Sequence, residues 1–131
     1  MKGFSQDPTG LAGKVSRRVD TKMTASAVGS GGVDVLSTPT MILLLEMAAV
    51  NAVSGVLAEG YVTLGTGVNV RHLAATPLGD TVIATAEVSA VEGRRLTFAL
   101  EARDSGGIVG NGTHVRMAVD RHRFMASLHS I

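Results

Sequence analysis

Cysteine and tryptophan are both absent from the 131 residues, and aromatic side chains make up only 3% of them. Without cysteine there is no disulfide framework, no thiolate metal site and no thiol nucleophile, a composition that fits a reducing compartment. Hydrophobic residues still account for 45%, so the core must be built from Val, Leu, Ala and Met, and any pocket must be lined mostly by aliphatic chains. An excess of charge is lacking too: twelve Lys and Arg against eleven Asp and Glu leave a formal net charge of +1. No broad basic face is available for a phosphate backbone, and nucleic acid is not expected as a partner. The start, MKGFSQDPTGLAGKVSRR, has no signal-peptide apolar stretch, so a cytoplasmic location is expected. His72, His114, His122 and His129 show no ligand spacing such as HxxxH, and no metal is expected.

The length suits one domain over residues 1–131. Residues 1–13 hold Gly3, Pro8, Gly10 and Gly13 without periodicity and are expected to be flexible. A first strand is expected over Val15–Thr24, followed by the glycine-rich loop AVGSGGVDVLS.

The next segment, TPTMILLLEMAAVNAVSGVL, is almost continuously apolar. Its length approaches a membrane span, but Glu46 and Asn51 argue against one, since a central acid costs about 2.5 to 3.5 kcal/mol on insertion scales. A buried helix in a water-exposed domain fits better. Thr38 can cap it, Pro39 suits the first turn, and the helix is expected to run to about Ala58, stopped by Gly60. A helix apolar nearly all round must be wrapped on most sides.

Four strands follow. YVTLGTGVNVRHL alternates, placing Val62, Leu64, Val68, Val70 and His72 on one face. TVIATAEVSAV places Val82, Ala84, Ala86, Val88 and Ala90 together; Glu92-Gly93 turns into a strand with Leu96, Phe98, Leu100 and Ala102 inward; a turn at 104–107 leads into the last. Short hairpins forbid a parallel sheet. The expected fold is α+β: a curved antiparallel sheet of about five strands wrapped round one long helix, with exposed edges that pair in a homodimer or higher oligomer.

Glu46 stands out within this frame. Its helix neighbours Ile42, Leu43, Ala49 and Val50 are apolar and the helix has no base, so the carboxylate must be protonated, be bonded from elsewhere in the chain, or open onto a pocket. His72, ending a strand just before a turn, could carry protons beside such an acid. A hydroxyl at Thr38 would sit where the helix amino terminus favours a developing oxyanion. Gly65 and Gly67 are not a dinucleotide fingerprint and suit close backbone approach instead. His114 and Arg116 share a strand face, where pairing across the sheet is the plain reading. Arg94 and Arg95 are exposed charges that could meet phosphates.

The stretches STPTMILLLEMAAVNAV, TLGTGVNVRHLAATPLGDTVIATAEVSAVEGRRLTF and GNGTHVRMAV, spanning about Leu36 to Val119, resemble the hotdog-fold thioesterases, and among them the fluoroacetyl-CoA thioesterase-like branch. The resemblance implies a hotdog homodimer that hydrolyses an acyl-CoA thioester near the subunit interface, with no cofactor, since coenzyme A is part of the substrate. It places the family's catalytic residues on Thr38, Glu46 and His72, its acyl-site glycine on Gly65 and an acyl-proximal arginine on Arg116. Glu46 would attack the thioester carbonyl or activate water for that attack. Thr38 and the Gly65 N–H would position Glu46 or the oxyanion, and His72 would manage protons as the thiolate leaves. Both Thr38 and Glu46 are expected to face the end of the His72 strand. Two departures, Met47 where a tryptophan can stand and a loop 27–37 free of aromatic residues, imply a more open pocket for another acyl group. A hotdog hydratase and a non-catalytic acyl-CoA binding module are the alternatives.

Overall fold

The computed structural model describes residues 2–129. Strand β1 (Ala12–Arg18) is followed by a 3-10 turn (Thr21–Met23), a short helix α1 (Ala25–Val28) and the long helix α2 (Thr38–Val53). Then come β2 (Tyr61–His72), β3 (Thr81–Glu92), β4 (Arg95–Asp104), β5 (Gly107–Asp120) and a terminal helix α3 (Arg121–Ser127). The five strands form one antiparallel sheet in the order β1-β3-β4-β5-β2. This is the α+β hotdog arrangement of helix and sheet.

Burial on one side organises α2. Met41, Leu44, Leu45, Ala48, Ala49, Ala52 and Val53 are buried, a set spaced three and four apart that forms one stripe. The alanines let the sheet come close: a Cβ on Gly13 of β1 would strike the Ala48 carbonyl and the Ala52 backbone. α2 lies chiefly across β1 and β3; the inward residues of β4 and β5 are buried as well, and the exposed part of that face is at the edge strand β2, where Val68 is 47% exposed. Leu43 and Val50, on the other flank, stay exposed, which departs from the expected wrapping on most sides.

Several boundaries move. The capping residue of α2 is Ser37, whose hydroxyl accepts from the Thr40 N–H at 3.1 Å, so Thr38 is freed from capping. The helix ends at Val53 rather than Ala58, because Ser54-Gly55 enters a turn in which the Val56 N–H bonds the Val53 carbonyl. β1 begins earlier than expected, at Ala12, and the chain turns away after Arg18. The expected looseness of residues 1–13 does not hold for those described: Phe4 is buried and bridges Leu57, and the Ser5 N–H bonds the Val56 carbonyl. Met1 lies outside the described residues. Helix α3, capped by Asp120, was not anticipated.

β3 and β4 bury the expected faces up to Val88 and through Ala102, but a bulge between Val88 and Ala90 turns Ala90 out of the core. A second bulge between Gly65 and Gly67 matters more. Before it, Thr63 and Gly65 lie opposite Ala118 and Arg116; after it, Val68, Val70 and His72 lie opposite His114, Gly112 and Gly110. Directly opposed residues share a face, so His72 keeps Val68 and Val70 as companions while Val62 and Leu64 belong to the outer face. Among the described residues no helix is long and apolar enough to cross a membrane.

Candidate active site

Two polar clusters lie along α2. At its amino end the Leu36 N–H bonds the Thr76 carbonyl and the Ser37 N–H bonds the Met23 carbonyl, which fastens the helix start beside the loop after β2. That loop leaves β2 at His72, itself held because the Leu73 N–H bonds the Val109 carbonyl at 2.7 Å. The result is a hydrogen bond of 2.7 Å between Thr38 Oγ1 and His72 Nδ1, across 34 positions of sequence. Burial lowers the pKa of His72, only partly offset by the Ala74 backbone, so the neutral imidazole is favoured. A cleft of about 330 Å³ opens here, lined by Ser30, Val35, Ser37, Thr38, His72 and Leu73 among others, with no phenyl or phenol ring in its wall.

The second cluster forms round Glu46, two turns further along. Its carboxylate lies 3.5 Å from Arg116 Nη1 on β5, so the acid finds its counter-charge on the sheet. The Glu46 side chain is 39% exposed and Arg116 only 7%. Burial lowers the Arg116 pKa and the Glu46 charge works against that shift. Arg116 is fixed from the other side, where Nε donates to Thr63 Oγ1 at 2.9 Å and Nη2 to the Thr63 carbonyl at 2.9 Å. Gly65 adjoins the cluster: a Cβ there would lie 2.8 Å from Glu46 Oε2 and 3.3 Å from Arg116 Nη1, so a side chain at this position would push the Glu46 carboxylate out of its place. His114 is the fourth member, buried between these groups with Nε2 3.1 Å from Arg116 Nη1.

Within one chain the structure therefore brings Thr38 to His72 and Glu46 to Gly65 and Arg116, but does not bring Glu46 to His72. No hydrogen bond or ion pair joins the two clusters among the described residues. The eight positions from Thr38 to Glu46 correspond to about 12 Å along a helix axis. His114 was read as sheet pairing; its one sequence signal was its place two residues before Arg116 on the same strand face.

The family model described as fluoroacetyl-CoA-specific thioesterase matches residues 19–122. The chain belongs to this family. A fluoroacetyl-CoA thioesterase of Streptantibioticus cattleyicolor is 42% identical over 95 residues, covering 72% of this chain and 68% of that protein. A solved structure of the fluoroacetyl-CoA thioesterase FlK superposes with a TM-score of 0.84 at 35% identity, covering 90% of this chain and 92% of that one. A Thermus thermophilus hypothetical protein of the thioesterase superfamily gives a TM-score of 0.86 at 26% identity, covering 96% and 91%. The fluoroacetyl-CoA-specific thioesterase family thus accounts for the hotdog sheet, and the Thr38, Glu46, His72, Gly65 and Arg116 positions all fall within the matched span.

Proposed function

We propose that the protein hydrolyses acyl-CoA thioesters to a carboxylic acid and free CoA as a homodimer in the cytoplasm, with Thr38, Glu46 and His72 as its catalytic set. The hydrogen bond between Thr38 and His72 at the start of α2 carries the reading, because it presents a hydroxyl and a neutral imidazole side by side at a helix amino terminus. Gly65 and Arg116 flank Glu46 and would hold the acyl end of the substrate. Glu46 supplies the carboxylate that attacks the carbonyl carbon or takes the proton from attacking water, the Thr38 hydroxyl stabilises the oxyanion, and the neutral His72 imidazole takes up the proton that the consumed water releases and passes it to the departing thiolate.

A thioester carbonyl cannot touch both clusters of one chain, so the site is completed by a second copy. Two features support that assembly. β2 is an edge strand with no neighbour on its outer side among the described residues, and Leu43 and Val50 of α2 with Val68 of β2 leave an exposed apolar surface beside it. A copy related by a two-fold axis across β2 would bring Glu46 of one chain toward Thr38 and His72 of the other.

The absence of rings from the cleft wall supports an acyl group other than fluoroacetyl. Thiol release from short, branched, aromatic and halogenated acyl-CoAs tests the whole reading: wild type should release thiol from at least one, and Glu46→Ala should not. Tight acyl-CoA binding without thiol release would instead make the protein a binding module, and addition of water to an enoyl thioester with the thioester intact would make it a hydratase.

A further inference from the structure

His114 is only 2% exposed, between cross-strand neighbours Val68 and Phe98, with the Phe98 ring centroid 6.0 Å away. An apolar side chain would fill this place without needing hydrogen-bond partners, so a buried imidazole is costly unless both nitrogens are satisfied. Both are. Nδ1 lies 2.8 Å from the Gly67 carbonyl, which can only accept, so Nδ1 donates. Nε2 lies 3.1 Å from Arg116 Nη1, which can only donate, so Nε2 accepts. The two contacts together define a neutral imidazole in one tautomer.

Those partners are the backbone of the β2 bulge and the guanidinium that faces Glu46. A Cβ on Gly65 would also lie 3.1 Å from His114 Cε1, so the ring forms part of the wall that Gly65 passes. We propose that His114 is a positioning residue for thioester hydrolysis, tying the Gly67 carbonyl of the bulge to the Arg116 guanidinium and thereby holding Gly65 and Arg116 against Glu46. This rests on the acyl-CoA hydrolase reading. The charged groups that face the ring are Glu46 from α2 and Arg116 from β5; Gly67 and Val68 on β2 and Phe98 on β4 are uncharged. A proton on Nε2 would meet the Arg116 N–H, break the tie, and turn toward Glu46 Oε2, 3.8 Å away.

Three variants and one spectrum test this. His114→Phe, which fills the space without either bond, should lower kcat about 100-fold with KM changed less than about threefold. His114→Gln, whose amide oxygen can accept from Arg116, should recover at least about tenfold of that loss. His114→Asn, which keeps only the donor toward Gly67, should recover less than His114→Gln. Equal kcat in all three variants, a wild-type kcat in His114→Phe, or losses that merely follow the folded fraction overturn the proposal. In the wild-type protein, long-range proton–nitrogen NMR should show the neutral His114 ring with its proton on Nδ1. A neutral ring with its proton on Nε2 overturns the proposal even if every variant fails to fold. Should wild type release no thiol from any acyl-CoA, the hydrolase reading fails, while the tautomer spectrum still decides whether the tie exists.

Discussion

Glu46 is the one charged side chain in α2, and it stays 39% exposed beside the buried Arg116 guanidinium. Removing the carboxylate leaves Arg116 held by Thr63 and His114 in the same pose, so Glu46→Ala should fold. Its thiol release should fall at least about 100-fold, as expected when a positioned base or nucleophile is lost, with the melting temperature as the control. His72 makes a pH prediction. Burial disfavours its imidazolium in the folded chain, so the unfolded chain binds the extra proton more readily. Stability from the neutral ring is complete above the free-histidine value of 6.5 and is lost as the pH falls from there through the lowered folded value. Melting temperature should therefore drop more steeply with acid in wild type than in His72→Asn. By the same shift, the hydrolysis rate of wild type should hold below pH 6.5 before its acid limb begins.

At the scale of elements, two glycines separate packing from chemistry. Gly13→Ala drives a methyl into the Ala48 carbonyl and should destabilise the β1–α2 contact by about 2 to 3 kcal/mol or more, read from denaturant unfolding. Gly65→Ala drives one against Glu46 and Arg116 instead, and should lower kcat far more than it lowers stability. The alternation of β3 and β4 was legible because one face is buried and side chains repeat every two residues. The β2 bulge was not: one inserted residue flips every following side chain, and a Gly-Thr-Gly stretch can pass straight or bulged at little difference in local cost. The Ser37 cap, one residue before Thr38, went unread because both hydroxyls suit the position, and only the long-range contact with His72 distinguishes them. Family motifs placed Thr38, Glu46 and His72 on the chain; the eight positions between Thr38 and Glu46 already set those two apart along α2, whereas the pairing of His72 with Thr38 is a long-range contact that no spacing announces.

Over the whole molecule, the exposed edge at β2 sets the prediction. Leu43→Asp combined with Val68→Lys places charge on the exposed apolar surface of α2 and β2. The variant should run as a folded monomer by light scattering and lose hydrolysis, whereas a folded, fully active monomer would sink the two-chain site. Mixing inactive Thr38→Ala with inactive Glu46→Ala chains in equal amounts should restore up to about a quarter of wild-type activity, because about half the dimers are mixed and each of those carries one intact site of two. The edge strand β2 extends this beyond architecture. It runs twelve residues from Tyr61 to His72 with Arg71 as its sole Lys, Arg, Asp or Glu, so little on it discourages pairing with another chain. Turnover per chain then depends on dilution: specific activity should decline as enzyme is lowered through the dissociation constant, and substrate that bridges both copies should restore it.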